Sequence, residues 1–104
     1  MKSKRSLTGP QILKALRKHQ ALLKKYSVLR IGLFGSYAKG SPTHKSDIDF
    51  LVEFEHCTYD NFLGLIRELE KLFGRTVEVL TPDAVDSIRV DEVAQSIRDS
   101  VVYV

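Results

Sequence analysis

The amino-acid sequence predicts an α/β domain of the α+β kind, in which helices flank a small mixed β-sheet. Two long segments repeat their apolar residues at helical spacing. Three short runs are rich in β-branched and aromatic residues, as strands are. The predicted order of the segments is α-β-β-α-β-α-α-β, which is typical of helices layered on a sheet. The length of 104 residues suits a single domain over residues 1–104.

The first helix and the first strand are predicted in the N-terminal third of the chain. The helix covers residues 10–26, because apolar residues recur there at helical spacing between lysines and arginines. Thr8 can cap this helix, and Pro10 suits its first turn. The short apolar run Val28–Phe34 follows and is predicted to be a strand.

A loop, a second strand and a second helix are predicted in the middle of the chain. Residues 35–46 contain too much Gly, Ser and Pro for a long regular element. Residues 47–54 form the second strand, and Tyr59–Phe73 forms a helix with an apolar stripe. Thr58 is its expected N-cap, and Gly74 stands where a left-handed residue commonly ends a helix.

The C-terminal third is predicted to complete the sheet. Val77–Leu80 reads as a third strand, and Thr81 is positioned to cap a short helix over residues 82–88. A last helix is predicted over residues 91–98. Residues 101–104 are expected to add a terminal strand.

Cysteine content and hydropathy indicate a cytoplasmic protein. Cys57 is the only cysteine, so the chain cannot form an internal disulfide, and this fits a reducing compartment. A thiol in a loop is the simplest interpretation of it. No apolar run approaches the roughly 20 residues that a membrane helix needs. The basic N-terminus does not resemble a secretory signal, because no uninterrupted apolar stretch follows it. No membrane contact is predicted.

The positive charge of the chain is concentrated at its N-terminal end. The net charge is +3, and residues 1–30 contain nine Lys and Arg but no Asp or Glu. A basic helix can contact nucleic acid or an acidic partner, but it can equally be a solvated helix face. Contact with RNA is therefore possible, although no interleaved aromatic residues support it.

Two aspartates on the second strand are candidates for a metal site. Asp47 and Asp49 are two residues apart, so their side chains point to the same face of the sheet. Neighbouring carboxylates repel each other unless protons or cations intervene. Mg²⁺ prefers oxygen ligands of this kind, and two such ions can brace the attacking and leaving oxygens of a phosphoryl transfer. A solvated strand end remains the alternative.

The dipeptide Gly35-Ser36, directly after the first strand, is a candidate phosphate site. Glycine allows a sharp turn and the close approach of a ligand. Ser36 could cap a short helix at residues 37–39, and its hydroxyl could bind a phosphate. A plain turn would explain the same two residues.

The spacing between these two pairs is more informative than either pair alone. The full pattern is G-S-x(10)-D-x-D, expected by accident in roughly one chain in a thousand of this length. Residues 35–49 resemble the signature of the DNA polymerase β-like nucleotidyltransferase superfamily. The small size and the stretch FGSYAKGSPTHKSDIDFLVEF resemble its minimal nucleotidyltransferase (MNT) branch. The resemblance covers nearly the whole chain.

The resemblance implies a polymerase β-like nucleotidyltransferase fold and a role for each of these residues. Gly35 and Ser36 would hold a nucleoside triphosphate, while Asp47 and Asp49 would bind the metal ions. The superfamily commonly adds a third carboxylate from a neighbouring strand, and Glu78 occupies the matching position here. Aspartate is more usual at this position, and the side chain of Glu78 is one methylene longer.

The implied activity is transfer of AMP from ATP to an acceptor hydroxyl, with two Mg²⁺ ions. Stand-alone MNT proteins commonly pair with HEPN ribonucleases as toxin and antitoxin, which implies a HEPN-type partner and a hetero-oligomer. One alternative is a binding module without turnover, for which Glu78 would be a sign of lost catalysis. Another is transfer to a small molecule or to an RNA end, with specificity supplied by a second subunit.

Other residues near the signature are weaker candidates. Lys39 and Lys45 lie in the loop and could neutralise phosphate charge, and Arg30 in the first strand could reach the same region. Solvation explains each of these positions as well. Tyr37 either packs over a nucleotide base or fills a gap beside the sheet.

Overall fold

The computed structural model describes residues 7–40 and 47–104. Within these ranges the chain forms a four-stranded sheet flanked by helices, so the predicted fold class is confirmed. No helix in this part of the chain is long and apolar enough to cross a bilayer. In chain order the elements are α1 (Gly9–Lys18), α2 (Gln20–Lys25), β1 (Val28–Phe34), α3 (Ser36–Lys39), β2 (Ile48–Phe54), α4 (Tyr59–Phe73), β3 (Val77–Leu80), α5 (Pro82–Asp86), α6 (Asp91–Ser100) and β4 (Val102–Tyr103).

The sheet is mixed, with the strand order β3-β2-β1-β4. β1 and β2 form an antiparallel pair, and β4 is antiparallel to β1. β3 is parallel to β2, which requires a crossover, and α4 provides it. As a consequence, β2 and β3 begin at the same edge of the sheet, which is also the edge where β1 ends.

One face of the sheet carries the larger hydrophobic core. Alternate residues of the strands, such as Leu33, Phe50 and Val79, point to this face and are buried there. The helices α1, α2 and α4 cover it with the buried side chains Ile12, Leu16, Leu23, Leu65 and Leu69. This packing fixes the alternation of the strands, so the intervening residues must point to the opposite face.

The opposite face is only partly covered. Leu51 of β2 is buried there against Val85 of α5 and Ala94 of α6. Asp49 and Glu78 lie on the same face, two residues before the apolar positions of their strands. The acidic residues therefore stand at the edge of a small core, where a buried strand emerges into solvent.

The predicted caps of α1, α4 and α5 are confirmed. The hydroxyl of Thr8 accepts a hydrogen bond from the backbone N–H of Gln11, whose side chain accepts one from Thr8 in return. Thr58 and Thr81 cap α4 and α5 with the same kind of hydrogen bond. Gly74 ends α4 with φ 65°, the left-handed conformation that favours glycine.

The predicted continuous helix over residues 10–26 is wrong, because the helix is interrupted at His19. The imidazole Nδ1 of His19 lies 2.8 Å from the carbonyl oxygen of Ala15. The backbone N–H of His19 donates instead to the carbonyl of Leu16. A side chain that occupies a backbone acceptor disturbs the regular helical hydrogen bonds. As a result, α1 ends at Lys18 and α2 begins at Gln20.

Several predicted boundaries differ from the structure by one or two residues, which is usual for element ends. β2 begins at Ile48 rather than at Asp47, and α5 ends at Asp86 rather than at residue 88. α6 continues to Ser100 rather than residue 98. β4 is limited to Val102–Tyr103, because only these two residues pair with β1.

Candidate active site

Three acidic side chains lie near the edge of the sheet where β2 and β3 begin. Asp47 directly precedes β2 and is exposed, whereas Asp49 is the second residue of β2 and is half-buried. Glu78 is the second residue of β3, and the parallel register places it beside Asp49. The structure therefore places the two acids that are far apart in sequence next to each other on one face.

The environment of Asp49 disfavours its ionised form. The pKa of the Asp49 carboxyl is raised from 3.8 to about 6, with burial as the largest cause and the negative charge of Glu78 as the second. A hydrogen bond between the two side chains and the charge of Asp47 act in the same direction. The charges of these neighbouring carboxylates repel each other, so a bound cation would stabilise the ionised form of Asp49.

The turn between β1 and α3 lies against Asp49. Gly35 adopts φ 77° and ψ −152°, and a side-chain carbon placed on it would overlap the Asp49 carboxylate. α3 begins at Ser36, which is half-exposed, so Ser36 is the first helical residue and not the predicted cap. Gly35 is the N-cap residue, and it has no side chain that could make a capping hydrogen bond. Its carbonyl accepts a hydrogen bond from Lys39 at 3.0 Å.

The chemistry of this site suits a hard divalent cation. Its donors are carboxylate oxygens, which Mg²⁺ prefers, and the raised pKa of Asp49 shows that positive charge is favoured beside it. In residues 7–40 and 47–104, no three such side chains already surround a common point that could hold an ion.

The sequence profile of the nucleotidyltransferase domain family matches residues 12–104. The chain belongs to this family. The match includes the turn at Gly35 and all three acids, and it confirms the predicted enzyme class: the protein is a nucleotidyltransferase.

Curated relatives of this nucleotidyltransferase match it over nearly their whole length. A candidate protein adenylyltransferase of Methanocaldococcus jannaschii is 45% identical, over 93% of this chain and 98% of the relative. The protein adenylyltransferase MntA of Thermococcus cleftensis is 34% identical, over 94% of this chain and 97% of the relative.

Solved structures share the fold of this nucleotidyltransferase. The structure of a candidate minimal nucleotidyltransferase has a TM-score of 0.73 at 21% identity, over 95% of this chain and 98% of that one. A toxin–antitoxin structure with AMP-PNP has a TM-score of 0.62 at 22% identity, over 84% and 69%. The tri-AMPylated Shewanella oneidensis HEPN toxin in complex with its MNT antitoxin gives 0.59 at 18% identity, over 92% and 71%. The predicted resemblance to the MNT branch is thus confirmed at the level of the fold.

The structure separates the weaker candidate residues of the nucleotidyltransferase. Arg30 lies at the opposite end of β1, where it pairs with Glu53 at 3.5 Å and stacks on the Tyr103 ring at 4.0 Å, so it does not reach the acids. Tyr37 is buried in the core beside the sheet, and Cys57 is exposed. Lys45 lies outside the described residues.

Two supporting contacts of the nucleotidyltransferase site were not predicted from the sequence. Gly9, at the start of α1, lies so close to Tyr37 that a side-chain carbon on it would stand 2.6 Å from the Tyr37 carbonyl oxygen. The side chain of Glu70 accepts a hydrogen bond of 3.1 Å from the backbone N–H of Val77, the first residue of β3. The sequence contained one signal for each contact. The first was a glycine in the first turn of a helix, and the second was an acid shortly before the glycine that ends a helix.

Proposed function

We propose that this nucleotidyltransferase moves AMP from ATP to a hydroxyl group on a partner protein, and that this partner is a HEPN-type ribonuclease toxin. The observation that carries the proposal is the pairing of Asp49 with Glu78 beside the Gly35 turn. A site that accumulates negative charge at a sharp glycine turn suits a cation together with a polyphosphate.

Asp47, Asp49 and Glu78 are the residues that would hold two Mg²⁺ ions. Bound there, the ions would neutralise the charge that develops on the phosphate oxygens during transfer. The half-buried position of Asp49 strengthens its interaction with a cation, because water screens the charge less than at the surface. Gly35 and Ser36 would hold the triphosphate, through the backbone of the turn at the first and the half-exposed hydroxyl of the second.

In the proposed reaction, the acceptor oxygen forms a bond to the α-phosphorus of ATP. The bond from that phosphorus to the bridging oxygen breaks, and pyrophosphate leaves. The acceptor proton passes to a carboxylate, and we assign this role to Glu78 because it is exposed at the edge of the site, where another molecule can approach. Positioning and charge neutralisation then supply most of the rate enhancement.

A protein acceptor is supported by the relatives. The two named above are protein adenylyltransferases by name, one of them a candidate, and they match this chain at 45% and 34% identity over nearly its whole length. A HEPN-type partner is supported by a structural neighbour in which an MNT antitoxin binds an AMPylated HEPN toxin. We therefore propose a hetero-oligomer in the cytoplasm, where ATP is available and the exposed Cys57 would stay reduced.

The proposal is tested by incubating the purified chain with ATP, Mg²⁺ and the HEPN-type protein encoded beside it. We expect intact-mass measurement to detect one or more AMP groups on the partner, and the ribonuclease activity of the partner to fall in parallel. The Asp49→Asn chain serves as the matched control, because it keeps the size of the side chain while removing its charge.

Two results would contradict the proposal in different ways. If Asp49→Asn still neutralises the partner completely, binding alone is sufficient and the chain acts as a binding module. If the unaltered chain labels RNA or a small molecule but not the partner, the acceptor class is wrong while nucleotidyl transfer stands. Labelled products from each acceptor, compared in the same assay, distinguish these cases.

A further inference from the structure

We propose that Gly35 is a positioning residue for Asp49, in addition to any contact that it makes with a triphosphate. By leaving space for the Asp49 carboxylate, it keeps that group directed at Glu78. The inference rests on the proposed function only for the statement that this arrangement serves to bind metal. The contact between Gly35 and Asp49 is a property of the fold.

The space around Gly35 is already filled by Asp49. A side-chain carbon built on Gly35 would overlap an Asp49 carboxylate oxygen, and it would lie 3.2 Å from the carboxyl carbon and 3.4 Å from Cβ. The three nearest atoms all belong to this single side chain. The carboxylate is therefore in contact with the α-carbon of Gly35, and any larger residue would force it to another rotamer.

The carboxylate of Asp49 is held from two sides. Glu78 lies beside it on β3, while Gly35 lies against it from the end of β1. Asp49 also pairs across the hairpin with Phe34, the residue before Gly35. Moving the carboxylate away from Gly35 would therefore disturb its contact with Glu78, and with it the arrangement of the oxygens proposed to bind metal.

Gly40 provides a control for positive φ within the same segment, although its ψ of 18° is the left-handed helical one, whereas the ψ of −152° at Gly35 is open almost only to glycine. Both glycines flank α3 and both have positive φ, 77° for Gly35 and 79° for Gly40. A side-chain carbon on Gly40 would meet nothing within 4 Å. Alanine at Gly40 therefore introduces backbone strain alone, whereas alanine at Gly35 introduces backbone strain and the overlap with Asp49.

The test is a double-mutant cycle on thermal stability, made with Gly35→Ala, Asp49→Ala and the double variant. Asp49→Ala removes the carboxyl carbon and oxygens and leaves only the ordinary contact at 3.4 Å. We expect Gly35→Ala to lower the Tm by on the order of 10 °C in the native background and by at least several degrees less beside Asp49→Ala. Gly40→Ala should lower the Tm by about 5 °C equally in both backgrounds.

Equal losses of Tm for Gly35→Ala in both backgrounds would overturn the proposal, because backbone strain would then explain the whole effect of the substitution. A Gly35→Ala chain that fails to fold while the double variant folds would support it. If neither of these chains folds, the overlap with Asp49 is not what Gly35 avoids, and the proposal is wrong.

A second measurement tests the purpose of the contact without using the reaction. Binding of Mn²⁺ alone, in the absence of nucleotide, is measured for chains that remain folded by circular dichroism. We expect Gly35→Ala to weaken Mn²⁺ binding by about 10–100-fold, as loss of a group that orients a ligand does, and Gly40→Ala to leave it unchanged. Native Mn²⁺ affinity in Gly35→Ala would overturn the positioning role. Absence of Mn²⁺ binding in the unaltered chain would instead contradict the proposed function, while the stability cycle still decides the contact.

Discussion

Asp49 and Glu78 lie side by side on adjacent parallel strands, and the charge of Glu78 contributes to the raised pKa of Asp49. At neutral pH the ionised forms of two neighbouring carboxyl groups repel each other, and this repulsion favours binding of a proton. The fold maintains this unfavourable contact by burying the neighbouring residues of both strands. Stability is thus reduced locally at the place where chemistry is proposed.

We predict that stability in the presence of a chelator falls as the pH rises from about 4 to 6. The pKa of Asp49 is raised from 3.8 to about 6 in the folded chain, so the folded state holds this proton more tightly than the unfolded state in that window. Asp49→Asn should remove this dependence and increase stability at pH 7 by about 1 kcal/mol, after allowance for solvent screening. Denaturant unfolding of both chains at several pH values measures the difference. Parallel pH profiles would contradict the prediction.

We predict that the same Asp49→Asn substitution lowers AMP transfer by at least about 100-fold. The charge that would hold a cation is lost, although the fold is retained and stability rises. Single-turnover labelling of the partner measures the effect. An inactive but more stable chain would separate catalysis from folding at this position, whereas retained activity would remove Asp49 from the proposed site.

We predict that one substitution of Glu78 lowers AMP transfer strongly and that another lowers it only slightly. Glu78→Gln removes the proposed proton acceptor and should lower transfer by about 100-fold. Glu78→Asp keeps a carboxylate that is one methylene shorter, and we expect activity within about tenfold of the unaltered chain. Rates measured across a range of pH distinguish loss of a base from loss of structure. Equal losses in both variants would indicate that the position matters for packing rather than for proton transfer.

We predict that Glu70→Ala lowers the free energy of unfolding by about 1–2 kcal/mol. The Glu70 side chain accepts the backbone N–H of Val77 at 3.1 Å, on the outer edge of β3, and its removal leaves that donor without this acceptor. Glu68→Ala is the control, since Glu68 makes only a long contact of 3.9 Å with Lys71 on the same helix. The midpoints of denaturant unfolding measure both effects. Equal effects of the two substitutions would argue that the hydrogen bond from Val77 to Glu70 does not stabilise the fold.

We predict that the exposed positive charges of α1 and α2 form a solvated surface rather than an RNA site. Lys14 and Lys18 are exposed on α1, and α1 contains no acidic residue. Changing both to Glu should alter stability by less than about 0.5 kcal/mol and leave partner labelling unchanged. RNA binding that weakens steeply with salt and is lost in this variant would contradict the prediction and favour an RNA acceptor.

Much of the fold could be predicted from the sequence, because its signals depend on neighbouring residues. Thr58 begins α4 and Gly74 ends it, through contacts within one or two helical turns, and both were predicted. The position of Gly35 before a sharp turn followed from the same kind of local rule. His19 shows where such rules failed: a side chain bonding to Ala15 ended a helix that the apolar spacing alone would have continued.

The site itself was only half determined by the sequence. The alternation of the predicted strand indicated that Asp47 and Asp49 share one face, although β2 begins only at Ile48, and their spacing from Gly35 indicates the chemistry. The sequence could not decide whether Glu78 or Arg30 reaches these acids, because that depends on strand pairing between distant segments. The parallel register of β3 places Glu78 beside Asp49, and the antiparallel register of β1 takes Arg30 to Glu53 at the other end. Burial of the large core on the opposite face fixes both registers, since a shift of one residue would expose every apolar side chain of a strand.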